Sequence, residues 1–148
     1  MKKLVIYYSL TGNTEIVASK LAEQGYELRR VYEKKKMPKS FFWMILAGGF
    51  RAGMHLKGKL IDYNSDVSSY DEIIILSPIW NGLTPPAINS VLKLTKLDDK
   101  KVSFIFCSGS GEAPKMIKKL SKTFSSSKVV VLKEPKKYSE ELNKINSL

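Results

Sequence analysis

Two residue types are almost missing from this chain, which has one cysteine, Cys107, and one histidine, His55, among its 148 residues. A lone cysteine excludes an internal disulfide and a cysteine-based metal cluster, and one histidine leaves a transition-metal site short of ligands. Long apolar runs are missing too. The longest, Phe41 to Phe50, is ten apolar residues or glycines, well short of the roughly 18 that would cross a bilayer. Met1-Lys2-Lys3 leads straight into the short apolar run Leu4–Tyr8, too brief for the core of a signal peptide, so a cytoplasmic location is expected. Acid is scarce: 14 Asp and Glu stand against 25 Lys and Arg, a net charge of +11. No paired carboxylates and no Ser-His-Asp arrangement stand out, so no catalytic acid or base is assigned and hydrolysis is disfavoured. The basic charge comes in scattered groups, Lys34–Lys36, Lys100–Lys101, Lys118–Lys119 and Lys136–Lys137. That pattern suits solvated loops and helix ends better than a nucleic-acid stripe, and no nucleic-acid partner is expected.

What is present is organised around Leu4–Leu21. Leu4–Tyr8 is an uninterrupted β-branched and aromatic run, the signature of a strand buried on both faces of a parallel sheet. Ser9-Leu10-Thr11-Gly12-Asn13-Thr14 follows, and a helix then starts, with Val17 and Leu21 four residues apart. A strand turning directly into a helix leaves backbone N–H groups and the positive end of the helix dipole facing outward, an anion site. Hydroxyls and the Asn13 amide add donors, and Gly12 lets the backbone approach closely. The loop contains no Lys or Arg, so an anion there would be held by neutral donors. Two other phosphate patterns fail. Gly53 to Lys59 nearly spells a Walker loop, but Leu60 replaces the magnesium-binding hydroxyl; Gly109-Ser110-Gly111 lacks a third glycine.

Along the rest of the chain, Gly25 is placed to end the first helix. Tyr26–Tyr32 carries Glu27, Arg29 and Arg30, which suits a sheet edge. Residues 33–69 break the pattern as a long connection, in which the 41–50 run between basic flanks reads as a packed helix or as a peripheral membrane or partner contact. His55 stands alone and is assigned no role. Ile73–Leu76 and Val102–Cys107 are further buried strands, and Val129–Leu132 is the last one. Pro78-Ile79-Trp80-Asn81-Gly82 and Ser108-Gly109-Ser110-Gly111 are the loops after two of them. Thr84 is expected to cap a helix starting at Pro85, with Ile88, Val91 and Leu92 on one face. Ala113, Met116, Ile117 and Leu120 mark another helix, and Tyr138, Leu142 and Ile145 a closing one. The alternation predicts a single α/β domain over 1–148, a doubly wound parallel sheet of five strands with helices on both faces. Ligands of such sheets bind beyond the carboxyl ends of the strands, where their order reverses.

Ser9, x, Thr11-Gly12-Asn13-Thr14 resembles, position by position, the phosphate-binding loop of flavodoxins and flavodoxin-like FMN proteins. The resemblance covers essentially the whole chain and implies strand order 2-1-3-4-5 and FMN as cofactor. It implies phosphate binding by Ser9, Leu10, Thr11, Gly12, Asn13 and Thr14. The isoalloxazine would meet Pro78, Ile79, Trp80, Asn81 and Gly82, with Trp80 as an exposed stacking ring. The third loop, Cys107, Ser108, Gly109, Ser110 and Gly111, would offer backbone N–H groups, with Cys107 as the buried terminus of its strand. Asn81-Gly82 is a candidate for a peptide that reorients against the reduced ring. The expected function is an FMN redox protein, an electron carrier or small reductase, with a redox partner protein or a small-molecule acceptor. The alternatives are a quinone reductase at a membrane surface, docking through 41–50, and a flavin-free anion binder on the same fold. Flavodoxins typically surround their flavin with acid; here no Asp or Glu lies between Ile73 and Leu97 or between Lys100 and Gly111. The second electron is therefore expected to enter at a less negative potential.

Overall fold

The computed structural model describes residues 1–34, 40 and 58–148. The 41–50 run, His55 and the near-Walker glycine Gly53 lie outside the described residues. Five strands, β1 (Lys3–Tyr7), β2 (Glu27–Arg30), β3 (Glu72–Pro78), β4 (Lys101–Ser108) and β5 (Lys128–Lys133), form one sheet. Their order is β2-β1-β3-β4-β5, and every neighbouring pair is parallel. Between them run α1 (Asn13–Glu23), α2 (Pro86–Leu94) and α3 (Pro114–Ser121), and a 3₁₀ helix (Ser139–Ser147) closes the chain.

The side-chain alternation of a strand explains both cores. Leu4, Ile6, Ile73, Ile75, Phe104 and Phe106 face α2 and α3, against Ile88, Val91, Met116 and Leu120. Val5, Tyr7, Ile74, Leu76 and Ile105 face α1 and the 3₁₀ helix, against Val17, Leu21 and Ile145. With helices on both faces, β1, β3 and β4 have no polar side, which is why they read as continuous apolar runs.

The edges behave differently. β2 is charged and largely exposed, as an edge strand tolerates. β5 is the other edge: Val129, Val130 and Val131 are only half-buried and Leu132 alone is fully covered, which corrects the expectation of a buried last strand. α1 ends as foreseen at Gly25, φ 88. Its N–H donates to the Ala22 carbonyl, and that of Tyr26 to Leu21, the paired bonds of a Schellman ending.

Two helix readings need correction. α2 begins at Pro86, with Pro85 extended at φ −67, ψ 161 and no side-chain cap. A residue preceding proline is driven out of the α region, so Pro86 keeps Pro85 outside the helix. Thr84 instead donates its hydroxyl to Asn89 Oδ1 at 2.7 Å. The closing helix is 3₁₀ rather than α. Leu142, Ile145 and Leu148 recur every three residues and pack on the same core, which is the period of that helix.

Candidate functional site

Crossovers on opposite sides of β1 and β3 open a crevice at the carboxyl ends of those strands. A cleft of about 330 Å³ lies there, lined by Leu10, Thr11, Asn13, Thr14, Pro78, Ile79, Trp80, Cys107, Ser108, Gly109 and Glu134. Larger hollows, about 480 and 470 Å³, lie elsewhere. One is bounded by Ser65–Ser68 and Leu94–Lys100, before β3 and β4; the other lies between α2 and α3. Neither meets the crevice where the strand order reverses.

The first loop is built around Gly12, whose φ of 96 is left-handed and which occupies the N-cap position of α1. A glycine there has no side chain to satisfy the first-turn amides, and among the described residues no other side chain caps them. Asn13 and Thr14 line the cleft beside this helix end. Thr14 is buried and donates its hydroxyl to the Tyr8 carbonyl at 2.6 Å, so that donor closes the loop rather than facing outward. Asn13 Nδ2 reaches Thr11 Oγ1 at 3.5 Å. Ser9 and Gly12 belong to the loop without lining the cleft.

In the second loop, Trp80 and Leu83 exchange both backbone hydrogen bonds, at 2.9 and 3.1 Å. Asn81 and Gly82 between them have φ 50 and 82, a two-residue hairpin with both central residues left-handed. They stand off the cleft. Trp80 is not the exposed ring expected: it is 2% exposed, edge-on to Tyr8 at 5.8 Å and 73°. The hairpin turns the indole into the core, where burial of a large ring outweighs any gain from exposing it.

In the third loop the Gly111 N–H, at φ 80, is taken by Ser108 Oγ at 2.9 Å, and the Glu112 N–H by Ser110 Oγ at 3.2 Å. Gly109 lines the cleft; Ser110 and Gly111 do not. Cys107 is buried, and desolvation pushes its thiol up to about 12, so it stays neutral and is no nucleophile.

A fourth segment, read from the sequence only as the solvated pair Lys136–Lys137, joins these three. Past β5 the chain turns at Glu134, φ 34, and Glu134 lines the cleft. Lys136 donates its N–H to Asn13 Oδ1 at 2.9 Å, and its Nζ lies 3.4 Å from the Thr11 carbonyl. The available signals were the Pro135 turn after an apolar strand and the Lys136–Lys137 pair, both too common to single out. Among the described residues no group of His, Cys, Asp and Glu could hold a metal, and no helix is long and apolar enough to cross a membrane.

A five-stranded parallel sheet in this order, wrapped on both faces, is the flavodoxin-like α/β fold. No protein-family model matches the chain, and no curated protein matches it. Solved structures do. A protein of Bacteroides uniformis, provisionally called a flavoprotein, is similar with TM-score 0.73 and 25% identity over 86% of this chain and 88% of its own. A second, from Bacteroides eggerthii and also provisionally a flavoprotein, has TM-score 0.70 and 21% identity over 97% and 98%. A flavoprotein from Lactobacillus acidophilus, crystallised in complex with FMN, has TM-score 0.63 and 20% identity over 94% and 97%.

Proposed function

We propose that this chain binds FMN in the crevice and works as a redox protein, passing electrons to a partner protein or a small-molecule acceptor. The observation that carries the reading is the α1 N-terminus. Among the described residues no side chain caps its amides, Gly12 adds no side chain there, and Asn13 and Thr14 at that end line the reversal-point cleft. The FMN complex of the L. acidophilus neighbour supports it.

The donor set suits a phosphate monoester, which needs several convergent N–H and O–H groups. Thr11 and Asn13, which line the cleft, would take that group with the first-turn amides of α1. Leu10, Pro78 and Ile79 line the cleft with apolar surface for the ring, and the buried Trp80 backs it. Gly109, which lines the cleft, would offer its N–H to the ring's polar edge. When bound, the flavin supplies the electron chemistry; the residues bind it, orient it and set its electrostatic surroundings.

FMN is expected to bind much more tightly than riboflavin. Thr11→Ala or Asn13→Ala removes a donor to a charged group, costing about 1.5–3 kcal/mol, or about ten- to a hundredfold in affinity. Titration of the apoprotein with each flavin, followed by the absorption spectrum, measures both. Equal affinities for FMN and riboflavin would overturn the assignment.

A further inference from the structure

The fold brings a cation to a loop that has none of its own. The turn after β5 is pinned from two sides. Glu134 donates its N–H to the Ser108 carbonyl at 3.2 Å, and its own carbonyl accepts from Lys137 and Tyr138 at 2.8 and 2.9 Å. The bond from the Lys136 N–H to Asn13 Oδ1 fixes the turn against the first loop. Lys136 Nζ is thereby held over the Thr11–Gly12 peptide, 3.4 Å from the Thr11 carbonyl and 3.7 Å from where a Cβ on Gly12 would stand. The side chain is exposed. Among the described residues no ion pair engages it.

Charge balance gives this placement a purpose. A phosphate monoester carries about −1.5 to −2 at neutral pH, while a helix N-terminus offers the equivalent of roughly +0.5. Neutral hydroxyls and amides add hydrogen bonds there but no net charge. We infer that Lys136 is the residue that selects the phosphorylated flavin, by supplying the cation that the first loop lacks. The inference rests on the FMN reading. It replaces the expectation that the phosphate is held by neutral donors alone.

The test compares FMN and riboflavin dissociation constants for the wild type, Lys136→Gln and Lys136→Arg, at about 10 mM and 1 M salt, where the screening length falls from roughly 30 to 3 Å. The backbone donor to Asn13 survives both substitutions, and thermal melting of the apoproteins verifies that each variant folds. Lys136→Gln should weaken FMN binding by about five- to thirtyfold at low salt and leave riboflavin unchanged. Its FMN affinity should also depend less on salt than that of the wild type. Lys136→Arg should restore most of the loss. A variant that binds FMN as tightly as the wild type, or loses FMN and riboflavin in equal measure, overturns the role of Lys136 and leaves the FMN reading intact. A wild type that binds both flavins alike overturns both.

Discussion

Trp80 and Thr14 each do something at the crevice other than what their residue type suggests. Thr14 has a hydroxyl in a phosphate-loop motif, yet gives it to Tyr8. Trp80 follows a buried strand and ends up 2% exposed on the edge of Tyr8. Its main contribution is therefore to stability. Trp80→Ala should cost about 3–5 kcal/mol, measured by urea unfolding of the apoprotein, whereas Trp80→Phe should keep FMN affinity nearly unchanged. A Trp80→Ala protein that melts normally but loses FMN would place the ring on the flavin after all. The sequence pattern located this residue at the crevice. It left the direction of the ring open, because the Trp80–Leu83 hairpin decides that, and a tight turn can send a side chain either way.

At the scale of elements, the apolar centres of β1, β3 and β4 were legible, since burial on both faces leaves a strand no solvent side; the ends of β3 were not, because Glu72 and Pro78 do not read as buried strand. The start of α2 was not: two successive prolines each look like a first helical residue, and only the steric rule for the residue before proline separates them. The start of β3 carries a further device. Glu72 is buried, accepts from Tyr26 Oη, and meets Lys101 Nζ at 3.1 Å, tying it to the turn after α1 and to β4. Desolvation pushes its carboxyl upward, but the Tyr26 and Lys101 hydrogen bonds and the lysine charge outweigh it and hold it below the usual carboxylate range. With the folded value depressed, the stabilisation is present above the unfolded value of about 4.3 and lost as pH falls through the folded one. Tyr26→Phe should thus cost about 1–3 kcal/mol at neutral pH, and the gap from the wild type should narrow in acid below about pH 4. Urea unfolding at neutral and acid pH measures this; an equal cost at both would show that the carboxylate charge is irrelevant.

Over the whole molecule, the net charge of +11 and the lack of acid in the second loop still argue for a flavin that takes its second electron readily. Glu134 now counts against part of that, since it brings a carboxylate to the cleft wall. One carboxylate about 6 Å from the ring is worth roughly 3 kcal/mol at an effective dielectric of 20, or on the order of 100 mV for one electron. The second step is expected to lie less negative than in an acidic flavodoxin, and Glu134→Gln should raise it further. Potentiometric titration of both proteins measures this, and a well-separated, very negative second step in the wild type would contradict it. The three loops after buried strands could be read from the sequence. The fourth segment could not, because Glu134-Pro135-Lys136 is an ordinary charged turn and only the pairing of β5 with β4 carries it to the crevice. The bond from Lys136 to Asn13 spans 123 positions, so the loop after β1 is completed only by a segment that the chain supplies four strands later. A nascent chain that has not reached residue 136 presents the loop without its lysine.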